Sequence, residues 1–294
     1  MKHAFLVIAH NAPVLLERII SQIDGDNHYI YLNIDKKADL EVFSSVLSKK
    51  RCNDIVLCRN EVNWGGFSQI ACEVDLLKRA YEQHPEIDYY HLISGHDYLC
   101  TSMETFELFF SQNVGKSFMH FDSEEEVKEW RKQKYRDRVM PYHFNDWNAP
   151  FFIKAICSKI LGVVKPRKPI SNIRAGWNWF SWHRSLVQWV LNYLFNNPDY
   201  LLRFHYTSCC DEVVFQTLLY PNLAELNIVN NSLRYIDWHP KREAKTLPLV
   251  LNESDFDSIV DSKCLFCRKV NEGESDLLLE KLDGLVHSEN TLIK

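Results

Sequence analysis

The sequence predicts an α/β protein built on a mostly parallel, doubly wound sheet with flanking helices. Three observations carry the prediction. Strand-like and helix-like segments alternate through the first third of the chain, the β-α-β-α rhythm that gives parallel pairing. Two of the strand-like segments run directly into an acid, Asp35 and Asp97, where open sheets of this kind bind ligands. The chain has 294 residues, 46% of them apolar, enough to cover both faces of one such sheet.

The elements follow in order. His3–Ala9 is a short apolar run bounded by polar residues and reads as a buried strand. In Pro13–Ile23, residues Leu15, Leu16, Ile19, Ile20 and Ile23 share one helical face, with proline at the start. His28–Asp35 is strand-like, Leu40–Lys49 helical, and Asp54–Cys58 a short strand. Ser68–Glu82 places Ile70, Val74, Leu77 and Ala80 on one helix face, with Ser68 as its expected N-cap. Tyr89–Ile93 is a strand running into Ser94-Gly95-His96-Asp97. The stretch 123–174 is acidic at its start, then basic (Lys132, Lys134, Arg136, Arg138), and carries a short apolar helix over 153–164. Beyond it come Asn178–Ser181, a helix over Ser185–Leu194, an apolar helix beginning near Val213, and strands over Ser232–Trp238 and near Cys264–Val270. No internal repeat, low-complexity tract or Gly/Ser linker interrupts the chain, so one continuous domain is expected.

Composition narrows the class. A net charge of −5 gives no support for nucleic acid or an anionic membrane as the main partner. The nine cysteines form no regular framework, and Cys58, Cys72, Cys157 and Cys264 sit in apolar runs, as reduced thiols do. Cys264 and Cys267 have CxxC spacing but lack the second pair that a zinc ribbon needs. No apolar run reaches the roughly 18 residues of a membrane span, and the N-terminal apolar run is too short for a secretion signal. Aromatic residues reach 13%, a surplus that suits sugar faces as well as core packing.

The most pointed feature is Asp211-Glu212, before an apolar stretch in which Val214, Phe215, Leu218 and Leu219 recur at helical spacing. The plain reading is an acid pair capping a helix N-terminus. Other segments weigh against that reading alone. Val62-Asn63-Trp64-Gly65-Gly66-Phe67-Ser68 is a turn into a helix whose glycines allow close backbone approach. Ser94-Gly95-His96-Asp97-Tyr98 ends a strand. In Gly176-Trp177-Asn178-Trp179-Phe180-Ser181-Trp182-His183-Arg184, alternation sends Asn178, Phe180 and Trp182 to one face and Trp177, Trp179 and Ser181 to the other. Leu233-Arg234-Tyr235-Ile236-Asp237-Trp238 and Leu265-Phe266-Cys267-Arg268-Lys269 follow.

This ordered set resembles the core-2/I-branching N-acetylglucosaminyltransferase family, glycosyltransferase family 14, which also includes the peptide O-xylosyltransferases. The resemblance runs from His3 to about Asn271 and is weakest over 123–174. It implies a GT-A-like fold, a nucleotide-sugar donor, and inversion at the anomeric carbon without a metal. Carried over, Glu212 matches the catalytic base, Lys269 a lysine on the donor diphosphate, Trp238 an aromatic on the acceptor sugar, and Asp35 the acid near the uridine. His10, Asp97 and Arg268 join the expected donor set, and Trp179 and Asp211 the expected acceptor set. A second diphosphate cation falls near Lys241, Arg242 and Lys245, with Arg242 or Lys245 preferred. The implied organisation is a single glycosyltransferase domain over 1–294. Within it, 1–122 is the nucleotide-sugar half, 123–174 an insertion or lid, and 175–294 the acceptor-binding and catalytic half.

The chemistry fits these residue types. Inverting transfer needs a carboxylate to take the acceptor proton, and a helix N-terminus favours its ionised form. The departing diphosphate needs positive charge facing it. Two Asp-X-Asp matches exist, Asp24-Gly25-Asp26 and Asp255-Phe256-Asp257, but the first reads as a turn and the second as a helix start. Lysine and arginine then replace a metal, so no metal and no cofactor are expected. The expected activity is transfer of a sugar from a UDP donor to a hydroxyl of a glycan or lipid-linked glycan, with N-acetylglucosamine as first choice and xylose second. The alternatives are a non-catalytic glycan-binding protein on the same fold, and a glycoside hydrolase using Asp211 or Glu212 with Asp97. The chain reads as a bacterial, cytoplasmic member of the family, with peripheral attachment at the inner membrane face left open, and with no nucleic-acid partner.

Overall fold

The computed structural model describes residues 1–240 and 242–289. The chain forms two compact units from interleaved stretches: Met1–Arg59, Glu86–Gly115 and the chain from Leu233 make the first, and Asn60–Pro85 with Lys116–Ser232 the second.

The elements run as follows. β1 (His3–Ala9), α1 (Pro13–Ile23), β2 (His28–Ile34), α2 (Ser44–Ser48) and β3 (Val56–Cys58) open the first unit. α3 (Phe67–Gln83) belongs to the second, after which β4 (Tyr89–Ser94), β5 (Tyr98–Leu99) and α4 (Met103–Gln112) return to the first. The second unit continues with β6 (Ser117–Met119), α5 (Glu124–Gln133), α6 (Tyr135–Arg138) and α7 (Phe151–Val164). It closes with β7 (Phe180–His183), α8 (Arg184–Asn196), α9 (Asp199–Leu202), α10 (Val214–Leu219) and β8 (Ile228–Asn230). β9 (Arg234–Ile236), α11 (Phe256–Ser262), β10 (Phe266–Arg268) and α12 (Asp276–Glu289) complete the first unit.

This is the α/β class that the sequence predicts. In the first unit, β3, β2, β1 and β4 lie side by side, all parallel. The strands are buried on both faces, as parallel strands covered by helices must be: Phe5, Leu6, Val7, Tyr31, Leu32 and Leu92 are wholly inaccessible. All five apolar residues expected on the inner face of α1 are buried. A smaller sheet of β5, β10 and β9 pairs β10 antiparallel to β5 and parallel to β9. In the second unit β6 pairs antiparallel with β7 and parallel with β8.

Local differences from the sequence reading have physical causes. The late strands shrink to three or four residues because the flanking chain turns away to make other contacts. Helices α4 and α12 are absent from that reading; α12 buries Leu278, Leu279 and Leu282, and α4 buries only Phe106 and Phe110. Ser68 is not the N-cap of α3; Gly66 is. Ser68 lies inside the first turn, where its hydroxyl donates to Asp146 and accepts from the Asn63 amide. The cap is supplied from a distant loop: Asp146 accepts the Ser68 amide at 3.0 Å, the contact a local Asp or Ser would otherwise make. Gly66 permits it, since a Cβ there would lie 2.2 Å from Asp146 Oδ1.

Gly66→Ala should therefore destabilise the protein by about 1–3 kcal/mol, read as a drop in the urea midpoint. An unchanged midpoint would mean that Asp146 is not held at the helix terminus.

Candidate active site

The residues singled out in the sequence fall into two groups, one in each unit. His10, Asp35, Asp97, Trp238, Arg242, Lys245, Arg268 and Lys269 lie in the first; Trp179, Asp211 and Glu212 lie in the second. Lys241 lies outside the described residues.

In the first unit, the register pairs Ala9 with Ile34 and Ile8 with Ser94, so the residues after β1, β2 and β4 share the carboxyl edge of the parallel sheet. The Asp35 amide donates to the Ala9 carbonyl (2.9 Å) and the Gly95 amide to the Ile8 carbonyl (3.0 Å). Asp35 is nearly buried; its carboxylate accepts the Lys37 amide at 2.8 Å, and Lys37 Nζ lies 3.5 Å away. Arg59 donates to the carbonyls of Lys36 and Ala38, holding the loop after Asp35. His10 is exposed on the same edge, its ring 6.1 Å from that of His96.

Asp97 is fully buried. Its Oδ2 accepts the Ser94 amide (2.8 Å) and hydroxyl (2.5 Å) and Arg268 Nη1 (2.9 Å), and Arg234 Nε lies 3.8 Å from Oδ1. Burial lowers Arg234 to about 10 against the pull of Asp97. Asp97 thus orients Arg268 rather than offering an open carboxylate. His96 Nδ1 bonds the Val270 carbonyl at 2.9 Å, and the Val270 amide donates to the His96 carbonyl, so the chain after β10 is laced to the end of β4. Lys269 sits between these contacts, its own amide and carbonyl bonded to Leu249 and Leu251. Its ammonium is half-buried and makes no hydrogen bond or ion pair among the described residues. Burial, then the neighbouring Arg268 charge, lowers its affinity for the proton.

The two preferred candidates for the second cation differ. Arg242 is held bidentate by Asp255 (2.7 and 2.6 Å) and also donates to Val250. Lys245 is exposed and makes no ion pair among the described residues. Trp238 is 36% exposed, a large apolar face left open beyond β9. Of the Asp-X-Asp matches, Asp24 accepts the Cys52 amide and Asp255 holds Arg242. Among the described residues no three His, Cys, Asp or Glu side chains gather as a metal site. None of the nine cysteines forms a disulfide.

In the second unit, Asp211 and Glu212 do not occupy the first turn of α10. They lie in a 3₁₀ turn, Cys210–Glu212, with Val213 between them and a helix of only six residues. Cys209 enters that turn at φ 50°, a left-handed conformation unfavourable for a residue with a Cβ, and its amide donates to Gly65. The Glu212 carbonyl accepts the Gly176 amide at 3.0 Å. Gly176 is needed there, because a Cβ would lie 2.2 Å from the His120 carbonyl oxygen. Trp177 stacks on His120 at 4.2 Å, Trp179 is half-buried, and Phe180 stacks on buried Trp182 at 3.8 Å. The alternation expected of this motif therefore holds.

The charge beside Glu212 is a side chain. Arg138 Nη1 reaches Glu212 Oε2 at 2.5 Å, both groups about one-third exposed. Within the basic run Lys132–Arg138, Lys132 is exposed and lies 3.9 Å from Glu129, whereas Arg138 turns inward to the acid pair. Asp211 is buried, with Oδ2 accepting from Gln69 at 2.9 Å. Burial, with the Glu212 charge adding to it, pushes the Asp211 carboxyl up to about 7. Behind it Glu73 is buried with one oxygen on Asn178 (2.8 Å), and burial, then Asp211, raises it well above the carboxylate range. Asp122 is lifted to about 6 by burial, Glu126 and Glu212. Gln69, Glu73, Asp122 and Arg138 escaped selection as site residues in the sequence. Arg138 stood out only as part of a basic run, and Glu73 as an acid within the apolar stripe of α3 between Ile70 and Leu77.

The family model "Branch: Core-2/I-Branching enzyme" matches residues 3–260. The chain therefore belongs to the core-2/I-branching enzyme family. Human Xylosyltransferase 2 is 24% identical over 248 residues, 82% of this chain and 27% of that protein. The Xylosyltransferase of Ciona intestinalis is 21% identical over 248 residues, with the same coverage. The chain spans about a quarter (27%) of the length of these relatives. Among solved structures, mouse Xyloside xylosyltransferase 1 in its apo form aligns with a TM-score of 0.39 at 10% identity, over 78% of this chain and 84% of that one.

The buried acids make a test of the second unit. Asp211 goes from the ordinary 3.8 when unfolded to about 7 when folded. Between these values the native state binds more protons, so this group's contribution to stability falls as pH rises through that window. Asp211→Asn removes that dependence. Urea titrations should show the variant gaining on wild type between about pH 4 and about pH 7; a pH-independent difference would exclude the raised value.

Proposed function

We propose that this chain transfers a sugar from a UDP donor to a hydroxyl of an acceptor glycan, with inversion at the anomeric carbon. The observation that carries the reading is the half-buried ammonium of Lys269. It lies beside Arg268, on the segment laced to the sheet's carboxyl edge, with no anionic partner among the described residues. A lysine left half-desolvated and unpaired is costly unless a ligand brings negative charge, and a diphosphate does so. Arg268, oriented by Asp97, would supply a directed donor fork. Exposed Lys245 is the better second cation, since Arg242 is already committed to Asp255. Asp35 and His10, on the same edge, would face the nucleoside part of the donor. Growth of charge on the leaving diphosphate would be met by these cations, with no metal and no other cofactor in the proposal.

Glu212 is proposed as the general base, taking the acceptor hydroxyl proton as its oxygen attacks C1. Arg138 would hold the carboxylate in place, and burial of the adjacent Asp211 favours its neutral form. Trp238 and Trp179 would offer faces to the acceptor sugar. The hydrolase alternative loses its second carboxyl, because Asp97 is buried and paired to two guanidiniums. Two donors remain in play. The sequence resemblance put UDP-N-acetylglucosamine first, while the names of the related xylosyltransferases favour UDP-xylose.

Calorimetry against both UDP-sugars should show binding, and Lys269→Ala should weaken it by about tenfold or more; equal affinity would remove the diphosphate assignment. Glu212→Gln should lower turnover by about 10²–10⁴-fold while leaving UDP affinity intact. Retained turnover would overturn the base assignment. Silence toward every UDP-sugar would favour the non-catalytic glycan-binding alternative. A chelator should leave the rate unchanged, and strict dependence on manganese would overturn the cation clamp.

A further inference from the structure

We propose that α7 is an in-plane anchor that docks the second unit on an anionic phospholipid surface. Helix α7 has fourteen residues and buries none of them. Phe152, Ile156, Ile160 and Val163 recur on one face and are 53–83% exposed. An apolar stripe of this length on a protein's outer face normally marks an interaction surface. Charge identifies the occupant. No Asp or Glu occurs between Asp146 and Asp199, although the chain as a whole carries a net charge of −5. In and just beyond α7 stand Lys154, Lys159, Lys165 and Lys168. Apolar side chains on one face with lysines along the flanks, and no acids, are what an anionic headgroup layer binds.

The helix is presented rather than loosely appended. Tyr142 Oη donates to the Lys165 carbonyl at 2.6 Å, just past its end. Two residues further on, Arg167 donates to the carbonyls of Pro141, Arg203 and Tyr206 and to the Thr207 hydroxyl, at 2.7–3.0 Å. Its cation is thereby spent on tying the helix end to the unit, while Lys159, Lys165 and Lys168 are exposed. No helix among the described residues is long and apolar enough to cross a membrane, so attachment by α7 would be at the surface. The proposal is independent of the donor and of the reaction.

Vesicle co-sedimentation of the whole chain tests it. Wild type should bind phosphatidylglycerol-containing vesicles at least about tenfold more strongly than pure phosphatidylcholine vesicles, and added salt should weaken the binding. Phe152→Ser with Ile160→Ser, and separately Lys154→Glu with Lys159→Glu, should each lower that binding by about tenfold. Thermal melting should be unchanged, because these side chains pack little within the unit. Absence of vesicle binding by wild type, or unaltered binding by both variants, would overturn the proposal. So would a dimer in sedimentation velocity that the Phe152→Ser, Ile160→Ser variant abolishes while vesicles stay unbound, since a second copy would then be the occupant.

Discussion

The first unit depends on one buried carboxylate. Asp97 ends the turn after β4 and gathers the Ser94 amide and hydroxyl, Arg268 from β10 and Arg234 from β9. An isolated charge in such a position would be expensive; two guanidiniums and two local donors make it tolerable. Arg234 is itself bound to the Leu92 carbonyl at 2.6 Å and lies over the Phe266 ring. The small sheet is thereby tied to the end of the large one. The position of Lys269 follows from that tie, because it is the next residue after Arg268. The contacts of Asp97 thus fix both Arg268 and the residue that follows it at the carboxyl edge of the parallel strands.

The second unit handles charge in the opposite way. Asp211 and Glu73 are both buried, with amide side chains, Gln69 and Asn178, as hydrogen-bond donors; burial raises both, the Glu212 charge adds to the effect on Asp211, and the Asp211 charge adds to that on Glu73. Burial therefore favours their neutral forms. Glu212, one residue along, keeps partial access to water and has Arg138 at 2.5 Å. Two adjacent acids are separated in behaviour by one turn of backbone: the first points inward, where burial favours its neutral form, and the second points to a guanidinium. The turn that separates them uses a left-handed Cys209 and a Gly176 that only a bare backbone could satisfy.

Much of this was legible in the chain. The 3.6-residue period of α1 named all five of its buried residues, and the apolar runs at His3–Ala9 and His28–Ile34 named the central parallel pair. Alternation in the Trp-rich motif placed Phe180 and Trp182 on one face, where they stack. Periodicity works in these places because a single local face decides burial. It failed where the deciding partner is distant in sequence. Ser68 has the chemistry of a cap, yet Asp146 supplies it. Arg138 belongs by sequence to a basic run, yet it pairs with Glu212. Arg242 and Lys245 look equivalent on paper, and only the Asp255 contact distinguishes them.

The sequence by itself determined the class of fold, the family, and the residue types able to carry a diphosphate and a proton. It did so because strand period, helix period and motif order are properties of neighbouring residues. The tertiary structure decided which of those residues are already committed and which are left with an unmet charge. Asp97 was claimed by two arginines, Asp211 was buried, Glu212 met Arg138 rather than a helix terminus, and Lys269 was half-buried without an anionic partner among the described residues. Those outcomes turn on desolvation and on partners brought from far along the chain, neither of which local pattern encodes.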